Sequence, residues 1–453
     1  MTTAGDEGRI EEAERLLALE IELIRRAPES QIEPTLDRVR AVLELMGDPE
    51  RTFPAIHVAG TNGKSSTSAM IDSLLTAYGV RTGRFTSPHL ETLRERIRLD
   101  GELIDSGRLL AAWEDLAPFL SVVEADGGRS LTYFEVITLL AFVAFADTPV
   151  SVGVLEVGLG GSWDATNVVD PSVGVIMPIG MDHTDWLGDD LATIAGEKAG
   201  IIKPGMVVVV AEQAALAADV IVERAVDVGA SLIRYGIDFA LVDRHVALGG
   251  QMLTIKGLGG TYEDVFLPLH GEHMAQNATC ALVAVEAFLG GGAGALDGDV
   301  VGQGFASVTV PGRLEVIRRS PAVILDVAHN PHGAEALVQA VSEAFDFQRL
   351  VGVVGVLADK DAVGILSALE PLLEEVVITR SSSPRAIDPE DLGDLAGEVF
   401  GPDRVTVEPS LPDAIDAAVT AAESEGELGG VGVLITGSVT VVGEARSLLR
   451  SRR

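Results

Sequence analysis

The sequence predicts two α/β units in succession: a larger N-terminal parallel-sheet unit with a phosphate-loop turn, then a smaller Rossmann-like one. Three observations predict it. Short apolar runs alternate with helical stretches from Ala55 onward, as in sheets covered on both faces. A glycine-rich turn, Gly60-Thr-Asn-Gly-Lys-Ser65, stands between the first of these runs and a helix. The alternation breaks near 308–312 and then restarts, which sets domains of 1–309 and 310–453, the second of a length usual for one domain.

The elements follow in order. Residues 9–26 carry Ile10, Ala13, Leu16, Leu17, Ile21 and Ile24 at helical spacing, and a second helix ends at Met46 with Gly47 as its cap. The run 55–59 reads as a buried strand, followed by a helix to about Tyr78. Runs 150–157, 173–178 and 206–211 read as further buried strands. Residues 231–268, broken by Gly-Gly pairs, read as hairpins attached to the sheet's edge. A helix spans 274–289, residues 307–313 form a hinge, and strands near 322–327, 350–356, 375–379, 404–408 and 431–436 build the second unit.

Composition narrows the function. A net charge of −35 on 453 residues repels polyanions, so nucleic acid is excluded as a partner. The longest apolar run, 136–146, is interrupted by Thr138 and is too short to span a bilayer. No leader-like segment opens the chain, and Cys280 is the only cysteine, which fits a reducing compartment; the expected location is the cytoplasm, without membrane contact. Of 33 basic residues only five are lysine, so each lysine is informative.

The turn at 60–65 offers backbone amides and a helix N-terminus to phosphate oxygens, with Lys64 as a point charge. The full P-loop pattern is half met, because Val58 stands where its first glycine belongs, and a plain strand-to-helix glycine turn is the alternative. Glu156 ends an apolar strand, where ligand chemistry collects above a parallel sheet, and its carboxylate with the hydroxyl of Ser87 suits Mg²⁺ bound jointly with phosphates. His183 follows another strand end; on residue chemistry alone it either hydrogen-bonds or ligates a metal. Lys198 in Gly196-Glu-Lys-Ala-Gly200 reads as a solvated helix lysine.

These segments occur in a fixed order: Gly60-Thr-Asn-Gly-Lys64, Thr86-Ser-Pro-His-Leu90, Leu131-Thr-Tyr-Phe-Glu135, Glu156-Val-Gly-Leu-Gly-Gly161, Asp164-Ala-Thr-Asn167, Asp182-His-Thr-Asp185, Glu197-Lys-Ala-Gly-Ile201, Pro311-Gly-Arg313 and Asp326-Val-Ala-His-Asn-Pro-His332. Together they resemble the Mur ligase superfamily, and the second, third and fifth resemble its dihydrofolate synthase/folylpolyglutamate synthase branch. The resemblance implies a P-loop-type ATPase domain and a ligase domain that together join L-glutamate to dihydropteroate or a folyl-(poly)glutamate through an acyl phosphate. It implies ATP on Gly60, Thr61, Asn62, Gly63, Lys64, Ser65 and Ser66, with Asn277 on adenine, Asp326 on the ribose, and Arg313 reaching the nucleotide when the second unit folds over. It also implies two Mg²⁺ ions on Ser87, Glu156 and His183, a carbamylated Lys198, a K⁺ ion, and His329 orienting glutamate or phosphate.

On the substrate side, Arg96 would pair with a carboxylate and Phe134 would stack on the pterin, against the plainer readings of a solvated arginine and a core phenylalanine. Asp164 and Ser438 join them, the latter for an α-carboxylate. One departure is Ser162, where the family usually carries arginine. The small molecules ATP, glutamate and folates are the expected partners of a monomer. Two rivals stand beside this reading. A cell-wall Mur ligase would need a UDP-binding domain that the 59 residues before Gly60 leave no room for, and an inactive nucleotide-binding regulator would not need Glu156, Lys198 and His329.

Overall fold

The computed structural model describes residues 4–26, 34–125, 130–290, 292–424 and 430–451. Helices Ala4–Arg25 and Asp37–Met46 form as expected, the second closed by Gly47 in the left-handed region. Eight strands follow: β1 (Ala55–Ala59), β2 (Thr82–Phe85), β3 (Ile97–Leu99), β4 (Glu102–Leu103), β5 (Val152–Glu156), β6 (Val173–Ile176), β7 (Val207–Val210) and β8 (Ser231–Arg234). They form one sheet in the order β4-β3-β2-β5-β1-β6-β7-β8, parallel except for β3 and β4. The central β1 sends Ile56 and Val58 into the apolar layer under helices Lys64–Ala77 and Glu272–Gly290. Its other face turns Ala55 toward Phe53, Phe85 and Phe142 and the helix Tyr133–Asp147. That helix carries the longest apolar run of the sequence, here buried on nearly every side.

The expectation of edge hairpins over 231–268 needs correction. Ser231–Arg234 is the parallel edge strand β8, because helix Ala215–Val228 brings the chain back in the direction of β7. Only the following three strands, β9 (Ala240–Ala247), β10 (Gly250–Lys256) and β11 (Thr261–Leu267), are joined by turns short enough for antiparallel pairing. They form a separate sheet resting on helices Glu272–Gly290 and Gly298–Ala306.

The second unit comprises β12 (Glu315–Arg319), β13 (Ala322–Leu325), β14 (Arg349–Val354), β15 (Glu375–Ile378), β16 (Val405–Val407) and β17 (Val431–Thr436) in the order β12-β13-β17-β14-β15-β16. All but β12 pair in parallel. The sequence reading omitted β12, whose exposed Arg318 and Arg319 hide the alternation of a half-covered edge strand. The turns after β1, β2, β5 and β6 and those after β13, β14 and β17 line one shared cleft. Strand C-termini are where ligand sites gather in such sheets.

Candidate active site between the two sheets

The turn after β1 has room only for glycine at two places. A Cβ on Gly60 (φ +147°) would stand 2.6 Å from Met177 Cβ, and one on Gly63 (φ +86°) 2.8 Å from Asn277 Oδ1. Thr61 ties the turn to the end of β6: its N–H donates to the Pro178 carbonyl, and its hydroxyl exchanges 3.0 Å bonds with Gly180. Lys64 Nζ donates to the carbonyls of Gly60 and Thr61 at 3.0 Å, so the ammonium lies over its own loop. Burial lowers its pKa, against the opposing pull of Glu156 and Asp182.

Glu156 is 1% exposed at the end of β5. It accepts from the Ser65 hydroxyl at 2.7 Å and the Ser87 N–H at 3.3 Å. Burial raises its pKa, and Lys64 pulls it back. A buried carboxylate beside hydroxyls suits a hard divalent cation that keeps water and phosphate oxygens as its other ligands. Among the described residues no three His, Cys, Asp or Glu side chains converge on a metal position.

Three residues expected to touch nucleotide are hydrogen-bonded within the protein. Ser66 is buried, donating to the Gly63 carbonyl and accepting from Asn277 Nδ2 at 2.9 Å. Asn277, 4% exposed, thus supports the loop from beneath and is not among the residues lining this cleft. Asp326 is absent from the cleft wall too: its oxygens accept the N–H groups of Leu314 and Ala328 at 3.0 and 2.9 Å. Leu314 has a positive φ of 44°, and the carboxylate pins that turn to β13. Arg313, one residue earlier, does line the cleft and makes no side-chain hydrogen bond or ion pair among the described residues.

Lys198 is 4% exposed, not solvated. Its Nζ donates to the Gly60 carbonyl at 2.9 Å, and burial with repulsion from Lys64 lowers its pKa to about 7. Ser162 docks on the same helix, with its N–H and hydroxyl on the Glu197 carbonyl at 3.0 and 3.3 Å.

The domain interface holds a cluster that the sequence reading missed. Lys360, in the turn after β14, donates to Asp182 Oδ1 at 2.7 Å and lies 3.4 Å from His183 Nε2. Asn330 Nδ2 bridges Asp182 Oδ2 at 3.2 Å and Asn62 Oδ1 at 3.1 Å. Burial opposes ionisation of Asp182, yet His183, Lys360 and His329 together hold its carboxyl well below the usual range. His183 and His329 both fall to about 4, mainly through burial, and are neutral imidazoles. His329 Nδ1 donates to the Val327 carbonyl at 2.8 Å, leaving Nε2 as an acceptor. The available signal was the lysine count, since Lys360 is one of only five.

At the other end of the cleft lie Phe134, Trp163, Asp164 and Arg96. Phe134 packs on Gly158 and lies 5.9 Å from Phe85, with the rest of its ring on the cleft. Arg96 is 3% exposed, donates to His89 Nδ1 at 2.8 Å and covers the Tyr133 ring. The Thr-Tyr-Phe-Glu segment is a capping box: Thr132 and Glu135 satisfy each other's N–H groups, and Glu135 also pairs with Arg38. Ser438 accepts the Val441 N–H at 3.2 Å and caps helix Val439–Ser451 on the cleft wall. The enclosed volume is about 580 Å³, room for a nucleotide's phosphates and an extended organic acid together.

Two family models match in the order the sheets occur: the Mur ligase middle domain over 58–285 and the Mur ligase glutamate ligase domain over 312–439. A dihydrofolate synthase/folylpolyglutamate synthase of Mycobacterium tuberculosis is 49% identical, covering 97% of this chain and 94% of its own. The chain belongs to the dihydrofolate synthase/folylpolyglutamate synthase family of Mur ligases. The family member of that name from Escherichia coli is 35% identical over 93% of each chain. Among solved structures, the M. tuberculosis folylpolyglutamate synthase complexed with ADP has a TM-score of 0.93 at 48% identity, covering 97% of this chain and 99% of that one. E. coli FolC in complex with DHPP and ADP has a TM-score of 0.83 at 32% identity over 97% and 98%. No helix among the described residues is long and apolar enough to cross a membrane.

Proposed function

We propose that this chain is an ATP-dependent amide ligase that adds L-glutamate to dihydropteroate and to folyl-glutamates through an acyl phosphate. The observation that carries it is the meeting, in one cleft, of the Lys64–Glu156 end with Arg313, His329 and Lys360 from the second sheet. The relatives complexed with ADP and with DHPP match over nearly the whole chain.

In this reading the substrate carboxylate attacks the terminal phosphorus of ATP, and the glutamate amine then displaces phosphate from the acyl carbon. Magnesium held by Glu156 with Ser65 or Ser87 supplies charge neutralisation at the phosphates. Lys64 leaves its two carbonyl acceptors to serve the β and γ oxygens, and Arg313 adds a second cation from the linker. His329 Nε2, neutral and free to accept a hydrogen bond, orients the incoming glutamate or phosphate. Phe134, Asp164 and Arg96 hold the organic acid, Ser438 the α-carboxylate, and the closed cleft keeps water from the acyl phosphate. Asn277 and Asp326, bonded here to the loop and to the turn at Leu314, are proposed to serve adenine and the ribose when nucleotide is bound.

A second magnesium at His183 requires Lys360 to leave its place 3.4 Å away, because two cations cannot share that position. Lys198, with its pKa near 7, has the neutral amine that carbamate formation consumes. Bicarbonate should therefore raise activity, and replacing potassium by sodium tests the monovalent ion. We place the working units at 1–309 and 310–453, in a cytoplasmic monomer.

The test is ADP release with dihydropteroate, a tetrahydrofolate monoglutamate or a UDP-linked muramyl precursor, each with and without its amino acid. Release that needs glutamate and either pterin acid is expected, and the two rates give the balance of the two activities. Release only with the muramyl precursor, or none at all, overturns the reading.

A further inference from the structure

A histidine in the middle of a parallel sheet needs a reason, since its polar ring must be satisfied where an aliphatic side chain would fit freely. His57 is central in β1, 0% exposed, on the face opposite Ile56 and Val58. Its Nε2 is 2.8 Å from Thr166 Oγ1. The Thr166 hydroxyl bonds Asp164 Oδ1, which also accepts the Thr166 N–H at 3.0 Å, while Asp164 Oδ2 accepts the Leu159 N–H at 2.8 Å. Asp164 reaches the cleft wall beside Phe134 and Trp163; His57 and Thr166 do not.

The direction of this chain follows from its chemistry. Two backbone N–H groups already point at Asp164, so an ionised carboxylate is the acceptor that satisfies them, and the one hydroxyl proton of Thr166 goes to it. The threonine oxygen must then accept from the ring, which makes His57 the Nε2–H tautomer. Its Nδ1, with no hydrogen-bond partner among the described residues, fits a neutral ring. Burial and the nearby charge of Lys203 keep the ring uncharged, with a pKa near 3.

We propose that His57 is a positioning residue for the pterin end of the cleft, acting through Thr166 to orient Asp164 as an acceptor for the paired N–H groups of the heterocycle. This rests on the functional reading above. A histidine that merely filled the core would support ATP and pterin binding alike; one in this relay affects the pterin side alone.

Thr166→Val removes the hydroxyl at nearly constant shape, and His57→Phe removes the ring donor. In the full chain, each should weaken dihydropteroate binding by about tenfold in calorimetry while the ADP affinity stays unchanged. Each added to Asp164→Asn should produce no further loss, as expected of groups acting in series. Unchanged dihydropteroate affinity in a variant that still binds ADP, or an equal loss for both ligands, overturns the proposal. If neither variant folds, ¹⁵N imidazole shifts of the unaltered protein decide: an Nε2–H ring at His57 supports the relay and an Nδ1–H ring overturns it. Unaltered protein that binds ADP but no dihydropteroate sinks the functional reading, and the tautomer still tests the relay.

Discussion

The two walls of the cleft are built differently. On the phosphate-loop wall the bonds stay within the first unit: Lys64 reaches back to Gly60 and Thr61, Ser65 to Glu156, and Lys198 to Gly60. On the interface wall they cross from one unit to the other: Lys360 meets Asp182 across 178 residues and Asn330 meets Asn62 across 268. The first wall is complete once the first unit has folded; the second exists only while the two sheets face each other. Chemistry placed on the second wall therefore depends on the apposition of the two units, and chemistry placed on the first does not.

That contrast can be broken or sharpened. Lys64→Ala should lower ADP formation by about a thousandfold or more in single-turnover assays, because it removes the ammonium that lines the cleft over the loop. Near-normal turnover would show that the loop wall does not carry the phosphate charge. Arg313→Ala should lower kcat/KM for ATP by about a hundredfold with an unchanged melting temperature, since its side chain makes no hydrogen bond or ion pair among the described residues. A large loss of stability would instead make it a structural clamp.

Lys360→Met leaves the buried Asp182 carboxylate without its ammonium and should destabilise the closed form by about 2 kcal/mol. Hydrogen exchange should then quicken at 181–184 and 357–361 while the loop at 60–65 keeps its protection. Asp182→Asn in the same chain should recover part of the loss. If exchange quickens equally on both walls, the two are one cooperative unit.

The smallest effect concerns Lys198. Its folded pKa, about 7, lies below the 10.5 of a free lysine, so the unfolded chain binds the proton more tightly. The resulting penalty is full below about pH 7 and fades as pH rises toward 10.5. Lys198→Met should therefore raise the melting temperature by a few degrees in acid and by less in alkali, read by thermal denaturation. An equal shift at both extremes would mean that the lysine is not buried as a charge.

The same division explains what could be read in advance. The glycine turn, Glu156 at its strand end and the parallel strands of the second sheet were legible because glycine, apolar runs and a terminal carboxylate have meanings within a few residues of themselves. The bonds of Asn277 to Ser66 and of Asp326 to the Leu314 N–H were not legible, since no local pattern announces a partner so far along the chain or in a neighbouring turn. The strand Ser231–Arg234 was taken for part of a hairpin because edge strands of either direction carry the same half-polar pattern.

By itself, the sequence determined the two α/β units, the glycine turn after the first strand and the carboxylate at a strand end, all consequences of backbone preferences and side-chain periodicity over short stretches. Only the tertiary structure decided that Lys360 closes on Asp182, that Lys198 is buried against Gly60 and that His57 stands behind Asp164. Those pairings join residues far apart in the chain, and their energies depend on the packing that excludes water around them.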